Sequence, residues 1–252
     1  MSSADRTAEM SFWEHLDVLR GALIRVLAAV IALSCLGLAF KEPLFKVILA
    51  PARPDFPIYR LLGTDFGMTL INVDISAQFV THLRASVVAG FILSFPYLVW
   101  EIWRFVLPAL YAGEKKAVRR TFLLSSVLFY VGAAVGYFIV LPLCLQFFMG
   151  YSISPDITNT ATLRSYMSMF SSLVLLMGIA FEFPSAILLL SMLGIVDRPL
   201  LRRGRKYAFV ALLIVAAFIT PTGDPLSMLL LAAPLYLLYE LSITLCSSQK
   251  TR

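Results

Sequence analysis

Residues 121–149, TFLLSSVLFYVGAAVGYFIVLPLCLQFFM, pass through 29 positions without one Asp, Glu, Lys, Arg or His. As a helix this run is about 43 Å long, more than the roughly 30 Å of hydrocarbon in a bilayer. It is therefore read as a membrane span. Outward from it the pattern repeats: residues 21–40 carry only Arg25, residues 77–100 only Arg84, and residues 165–193 only Glu182. Two further charge-free runs, 207–220 and 226–239, are 14 residues each, about 21 Å as helices, before Asp224 or Glu240 interrupts. The fold class expected is an all-α membrane protein of six transmembrane helices, the last two short.

Composition excludes the alternatives. Of the 252 residues 60% are hydrophobic and 14% charged, with a mean hydropathy of +0.85, against roughly 45–50% and about 25% in a soluble domain. No single core hides that apolar excess while leaving a wettable surface. The same figures argue against a disordered chain, a nucleic-acid-binding domain and a disulfide scaffold. Cys35, Cys144 and Cys246 lie within or at the ends of apolar segments with no CxxC spacing, so packed thiols are expected.

The surplus of 21 Lys+Arg over 15 Asp+Glu is one of sidedness. With an even number of spans both termini share a side. That side's loops collect fifteen basic residues, including Arg104, Lys115, Lys116, Arg119, Arg120, Arg198, Arg202, Arg203, Arg205 and Lys206, against six on the other. By the positive-inside rule the richer side is cytoplasmic. The expected organisation is an amphipathic cytoplasmic segment over 1–20 that turns into the first span, a six-helix domain over 21–245, and a short cytoplasmic tail over 246–252. Residues 41–76 hold Pro43, Pro51, Pro54 and Pro57 with Gly63 and Gly67, too punctuated for long helices, and are expected to form a periplasmic cap.

Charges near the hydrocarbon carry the functional information. Glu182 is about 18 Å from Gly194 along a helix, and Pro184 should bend that helix beside it. Such a carboxylate either faces a wet cavity or partner, or stays protonated against a neighbouring hydroxyl. Glu114 precedes the third span, where an acid also suits a helix N-terminus. In residues 11–20, SFWEHLDVLR, Phe12, Leu16 and Leu19 form one stripe and Glu14 and Asp17 another, with Arg20 able to pair with Asp17. His15 and His82 fall near opposite faces, and no metal-ligand, nucleophile or phosphate-loop spacing occurs, so no enzyme, cofactor or metal is expected.

Several stretches, in this order, resemble the TatC family of twin-arginine protein translocases: residues 15–20 (HLDVLR), residues 105–111 (FVLPALY) followed by Glu114, residues 181–184 (FEFP), and Thr220-Pro221 with Asp224 and Ser227. The resemblance runs from about Phe12 to Leu241. It implies a cupped, glove-like six-helix receptor in the inner membrane of a prokaryote. Such a receptor binds twin-arginine signal peptides of folded cargo at the cytoplasmic face, and assembles with the single-span proteins TatB and TatA into heteromeric oligomers driven by the proton-motive force.

Carried over by position, Glu114 matches the glutamate that engages the arginine pair, Glu182 the intramembrane glutamate of the fourth helix, and Pro221, Asp224 and Ser227 the last outer loop. The family motif H-L-x-E-L-R ends here in Arg20 but has Val18 where its glutamate stands, and valine cannot pair with guanidinium. Glu14, on the same helical face, and Asp17, about 100° round, are the nearest substitutes. Two other classes stay open on the residues alone: a proton-coupled small-solute carrier using Glu182, and a non-catalytic membrane scaffold.

Overall fold

Helix α1 (Phe12–Ala39) is one rod of 28 residues, about 42 Å long, because nothing between its ends breaks a helix. The structure, a computed structural model, describes residues 12–106, 115–192, 194–219 and 224–246. The expected turn between a surface segment and the first span near Gly21 is absent: the amphipathic stretch and the span are continuous. Most of the apolar side chains of α1 stay uncovered, Leu23 and Leu27 among them, as suits a helix facing lipid.

Residues 41–76 are built of short pieces. Helix α2 (Lys41–Ile48) leads through a single 3₁₀ turn (Ala50–Ala52) to α3 (Pro57–Leu62), which ends on left-handed Gly63, and then to strand β1 (Leu70–Ile71). Tyr59, fully buried, donates its hydroxyl to the Pro51 carbonyl at 2.8 Å, and Phe56 packs on the rings of Tyr137 and Phe138. Two hydroxyls from the bundle fasten this layer: Tyr137 donates to the Val47 carbonyl and Tyr166 to that of Ile48, each at 2.6 Å. Strand β1 pairs in parallel with β2 (Ala161–Thr162).

Helix α4 (Ala77–Val106) returns antiparallel to α1. Close packing of small residues holds the pair: a Cβ on Gly90 would lie 2.7 Å from the Ser34 backbone nitrogen, and one on Gly37 3.1 Å from the Ser86 Cα. Helix α5 (Lys115–Val135) continues through a π turn (Gly136–Val140) into α6 (Leu141–Gly150). Pro142 supplies no N–H and crowds the preceding turn, which is the local reason for the wider winding.

Helix α7 (Leu163–Ala180), capped by Thr162, stops at Phe181–Glu182 and resumes as α8 (Phe183–Met192). The break is the bend expected at Pro184, whose ring excludes the hydrogen bond the Ala180 carbonyl would otherwise receive. Gly132 and Gly136 of α5 and its π turn face α7 so closely that a Cβ on Gly132 would lie 2.6 Å from the Phe181 Cβ. In lipid, where apolar surface has no water to escape, such close van der Waals approach is what joins helices.

The charge-free runs at 207–220 and 226–239 understate the last two helices. Helix α9 (Arg198–Ile219) has 22 residues and α10 (Pro225–Leu245) 21. Among the described residues five segments are long and apolar enough to cross a membrane, Ser227–Thr244 included. Helix α9 is not among them, because Arg198, Arg202, Arg203, Arg205 and Lys206 crowd its first nine positions and leave only residues 207–219 apolar. Glu240 does not interrupt α10: it accepts from Arg205 of α9 at 2.7 Å and from Tyr236 at 3.2 Å.

Candidate functional site

Two carboxylates are held inside the bundle, and they differ in what holds them. Glu101, five residues from the end of α4, receives a two-pronged ion pair from α1: Arg25 Nε donates to Oε1 at 2.9 Å and Nη2 to Oε2 at 2.7 Å. Tyr97, one turn earlier, donates its hydroxyl to Oε1 at 2.9 Å. The Glu101 side chain is 4% exposed and that of Arg25 46%, so the guanidinium covers the carboxylate and is itself half open.

Glu182 pairs with no cation among the described residues. It sits in the break between α7 and α8, where its Oε2 accepts from the hydroxyls of Ser125 and Ser185, while Oε1 is buried with no hydrogen-bond partner. Two largely apolar cavities meet at it. One, of about 370 Å³, is lined by Ile179, Ala186, Ala208, Leu212 and Leu235; the other, of about 340 Å³, by Phe91, Phe95, Val99, Ser185 and Leu189. Of the alternatives the sequence left for this residue, the hydroxyl partners are present, while the cavities that meet at it are lined mostly by apolar side chains.

The N-terminal candidates sort by face of α1. Ala22 is buried against the bundle, and Val18 and Arg25 lie about 40° and 60° from it around the helix. Glu14 falls about 80° from Ala22 on the same flank, whereas Asp17 lies about 140° round and Arg20 about 160° the other way, both exposed. The backbone of Glu14 is helical; its side chain, and the whole of Glu114 and Pro221, lie outside the described residues.

Asp224 and Ser227 have local partners. Asp224 is the N-cap of α10, its carboxylate accepting from the Ser227 backbone N–H at 2.8 Å, and the buried Ser227 hydroxyl accepts from the Cys144 thiol at 3.7 Å. None of the three thiols is bridged; Cys144 and Cys246 are buried as expected, the latter beside the Ser191 hydroxyl, whereas Cys35 is exposed and not packed. Sequence reasoning missed Glu101 entirely. Glu101 lies one residue past the apolar run that ends at 100, and Arg25 is the single charge of residues 21–40; neither points to the other in the sequence.

The family model for the Sec-independent protein translocase protein TatC matches residues 14–234. The chain belongs to the TatC family. Among curated TatC proteins, that of Blattabacterium sp. subsp. Periplaneta americana (strain BPLAN) is 37% identical over 251 residues, covering 93% of this chain and 94% of its relative. The TatC of Escherichia coli (strain K12) is 33% identical over 230 residues, covering 91% and 85%. Two crystal structures of the twin arginine translocase receptor TatC are 34% identical to this chain. One covers 92% of it and 97% of its own chain with a TM-score of 0.77, and the other, in DDM, 93% and 100% with a TM-score of 0.79. The TatC fold is therefore present over nearly the whole chain.

Proposed function

We propose that this chain is the receptor subunit of a twin-arginine protein translocase. In this reading it lies in the inner membrane of a prokaryote with six spans and both termini cytoplasmic, and it binds signal peptides with paired arginines before folded cargo is passed across. The observation that carries the reading is its likeness, over nine-tenths of its length, to crystal structures of the twin arginine translocase receptor. The distribution of basic residues supports the orientation: the side of the termini, with its loops and the adjoining helix ends, holds fifteen of the 21.

Glu114 and a second acid near Val18 form the proposed docking site for the arginine pair. Planar guanidinium matches carboxylate through two parallel charge-assisted bonds, which an ammonium cannot reproduce. Lys115, Lys116, Arg119 and Arg120 around Glu114 repel basic peptides that lack that match. Between the two substitutes for the missing glutamate, helical phase favours Glu14, which shares the flank of Val18, over Asp17 on the exposed side. Glu182, with its unpartnered oxygen between two cavities, is the proposed intramembrane polar contact. TatB- and TatA-like single-span proteins are the partners this reading requires.

Complementation of a strain lacking its own TatC, scored by export of a folded reporter behind an arginine-pair leader, tests the function. Binding of the same leader peptide to Glu114→Gln, Glu14→Gln and Asp17→Asn variants tests the site. Loss of about tenfold or more in affinity is expected for Glu114→Gln and Glu14→Gln. Failure to complement, or unchanged binding in all three, overturns the reading.

A further inference from the structure

Arg25 and Glu101 already make, within this chain, the contact that an incoming arginine would seek. The two parallel bonds from Nε and Nη2 to the two carboxylate oxygens, at 2.9 and 2.7 Å, form the fork geometry that distinguishes guanidinium from ammonium. Arg25 sits two helical turns beyond Val18, about 20° from the same line along α1, so the fork opens on the flank of α1 where position 18 offers no charge.

The two partners are not equally free. Arg25, half exposed on a long flexible side chain, can swing away from the carboxylate and reach along α1 toward the end that carries Arg20 and Asp17. Glu101, almost fully covered, cannot be left alone, since an uncompensated buried carboxylate is strongly unfavourable. Departure of Arg25 is therefore coupled to arrival of another cation that fits the same two oxygens and the Tyr97 hydroxyl. The grip of α1 on α4 does not depend on the ion pair alone, because Gly90 against Ser34 and Gly37 against Ser86 hold the far half of the two helices together.

We propose that Glu101 is a second guanidinium site, held shut by Arg25, and that a leader arginine takes the place of Arg25 on it. This rests on the reading of the chain as a receptor for arginine-pair leaders. Exchange of one guanidinium for another is close to neutral in energy, so the device adds selectivity: lysine, with one compact charge, cannot replace what it displaces.

Titration of a labelled arginine-pair peptide, and of its lysine-pair counterpart, into the full chain in detergent gives the test. With the resident competitor removed, Arg25→Gln should bind the arginine peptide about tenfold tighter than the wild type, the size of one charge-assisted contact. The double variant Arg25→Gln with Glu101→Gln should return to near wild-type affinity, because the vacated carboxylate is gone. Should Arg25→Gln not fold, Arg25→Lys retains the charge with a weaker hold and should bind about threefold tighter. Equal or weaker binding in the folded single variants, or tightening that survives Glu101→Gln, overturns the exchange. If the wild type prefers the arginine peptide but the Arg25 variants do not tighten, only the exchange falls. If it shows no such preference, the receptor reading falls with it.

Discussion

The hydroxyl of Ser125 on α5 donates to the carboxylate of Glu182 at the break between α7 and α8, tying together two elements 57 residues apart. Ser185, on the first turn of α8, donates to the same oxygen at 2.6 Å. Among the described residues the other oxygen has no hydrogen-bond partner, so half of the carboxylate is satisfied by them. Replacing Glu182 by leucine removes that unpartnered atom. Thermal unfolding in detergent should show a melting temperature equal to or above the wild type, while export of a folded reporter falls by about tenfold or more. Full export by a folded Glu182→Leu protein would reduce the residue to packing. Ser125→Ala should cost about 1 kcal/mol of stability.

Gly132→Leu places a side chain where even a Cβ would come within 2.6 Å of another. Helices α5 and α7 must part or tilt, and overpacking of this kind costs about 1–3 kcal/mol. The measurement is the unfolding midpoint in detergent; a value within error of the wild type would show that the two helices separate at no cost.

Tyr59 gives the cap over residues 41–76 a pH dependence. Its hydroxyl is buried on the Pro51 carbonyl, and burial pushes the phenol well above its ordinary value. The folded protein therefore keeps this proton when the unfolded chain, ionising near pH 10, has lost it. The stabilisation is complete below about pH 10 and declines as pH rises above it, because ionisation then favours the unfolded state. Thermal melts from about pH 8 to about pH 11 should fall less steeply in Tyr59→Phe, which also loses about 1 kcal/mol at neutral pH with its hydrogen bond.

Asp224→Ala removes the side-chain acceptor at the start of α10. Loss of an N-cap costs about 1 kcal/mol, and the first turn, with Pro225 and Ser227, should fray. Faster amide exchange at Ser227 and Met228, with the rest of α10 unchanged, is the expected result; equal exchange would mean that packing alone holds the turn.

Much of the fold was legible because hydropathy and proline are local. The charge-free run at 121–149 marks the third span whatever surrounds it, and Pro184 dictates a break wherever its helix goes. The ends of the last helices were not legible, since Glu240 reads as a stop until Arg205 of another helix is brought to it. The same limit hid Glu101. A carboxylate near a span's end and a guanidinium within another are each ambiguous in one dimension, and only the antiparallel packing of α1 on α4, 76 residues apart, makes them one object. The crossing of α5 on α7 was hidden for a different reason: Gly132 and Gly136 carry no side chain whose pattern points at a neighbour.

The wide turn at Gly136–Val140 resets the rotation of the helix beyond it. An extra residue in one winding advances all later side chains by about 100° around the axis. Leu141, Cys144 and Leu145 are thus aimed inward by a phase shift, not by continuation of the stripe that faces inward on α5. The third span is in effect two half-helices with separate registers. Deleting a single residue from the turn would swing the whole second half toward lipid and carry Cys144 away from Ser227, although no apolar residue had been exchanged for a polar one.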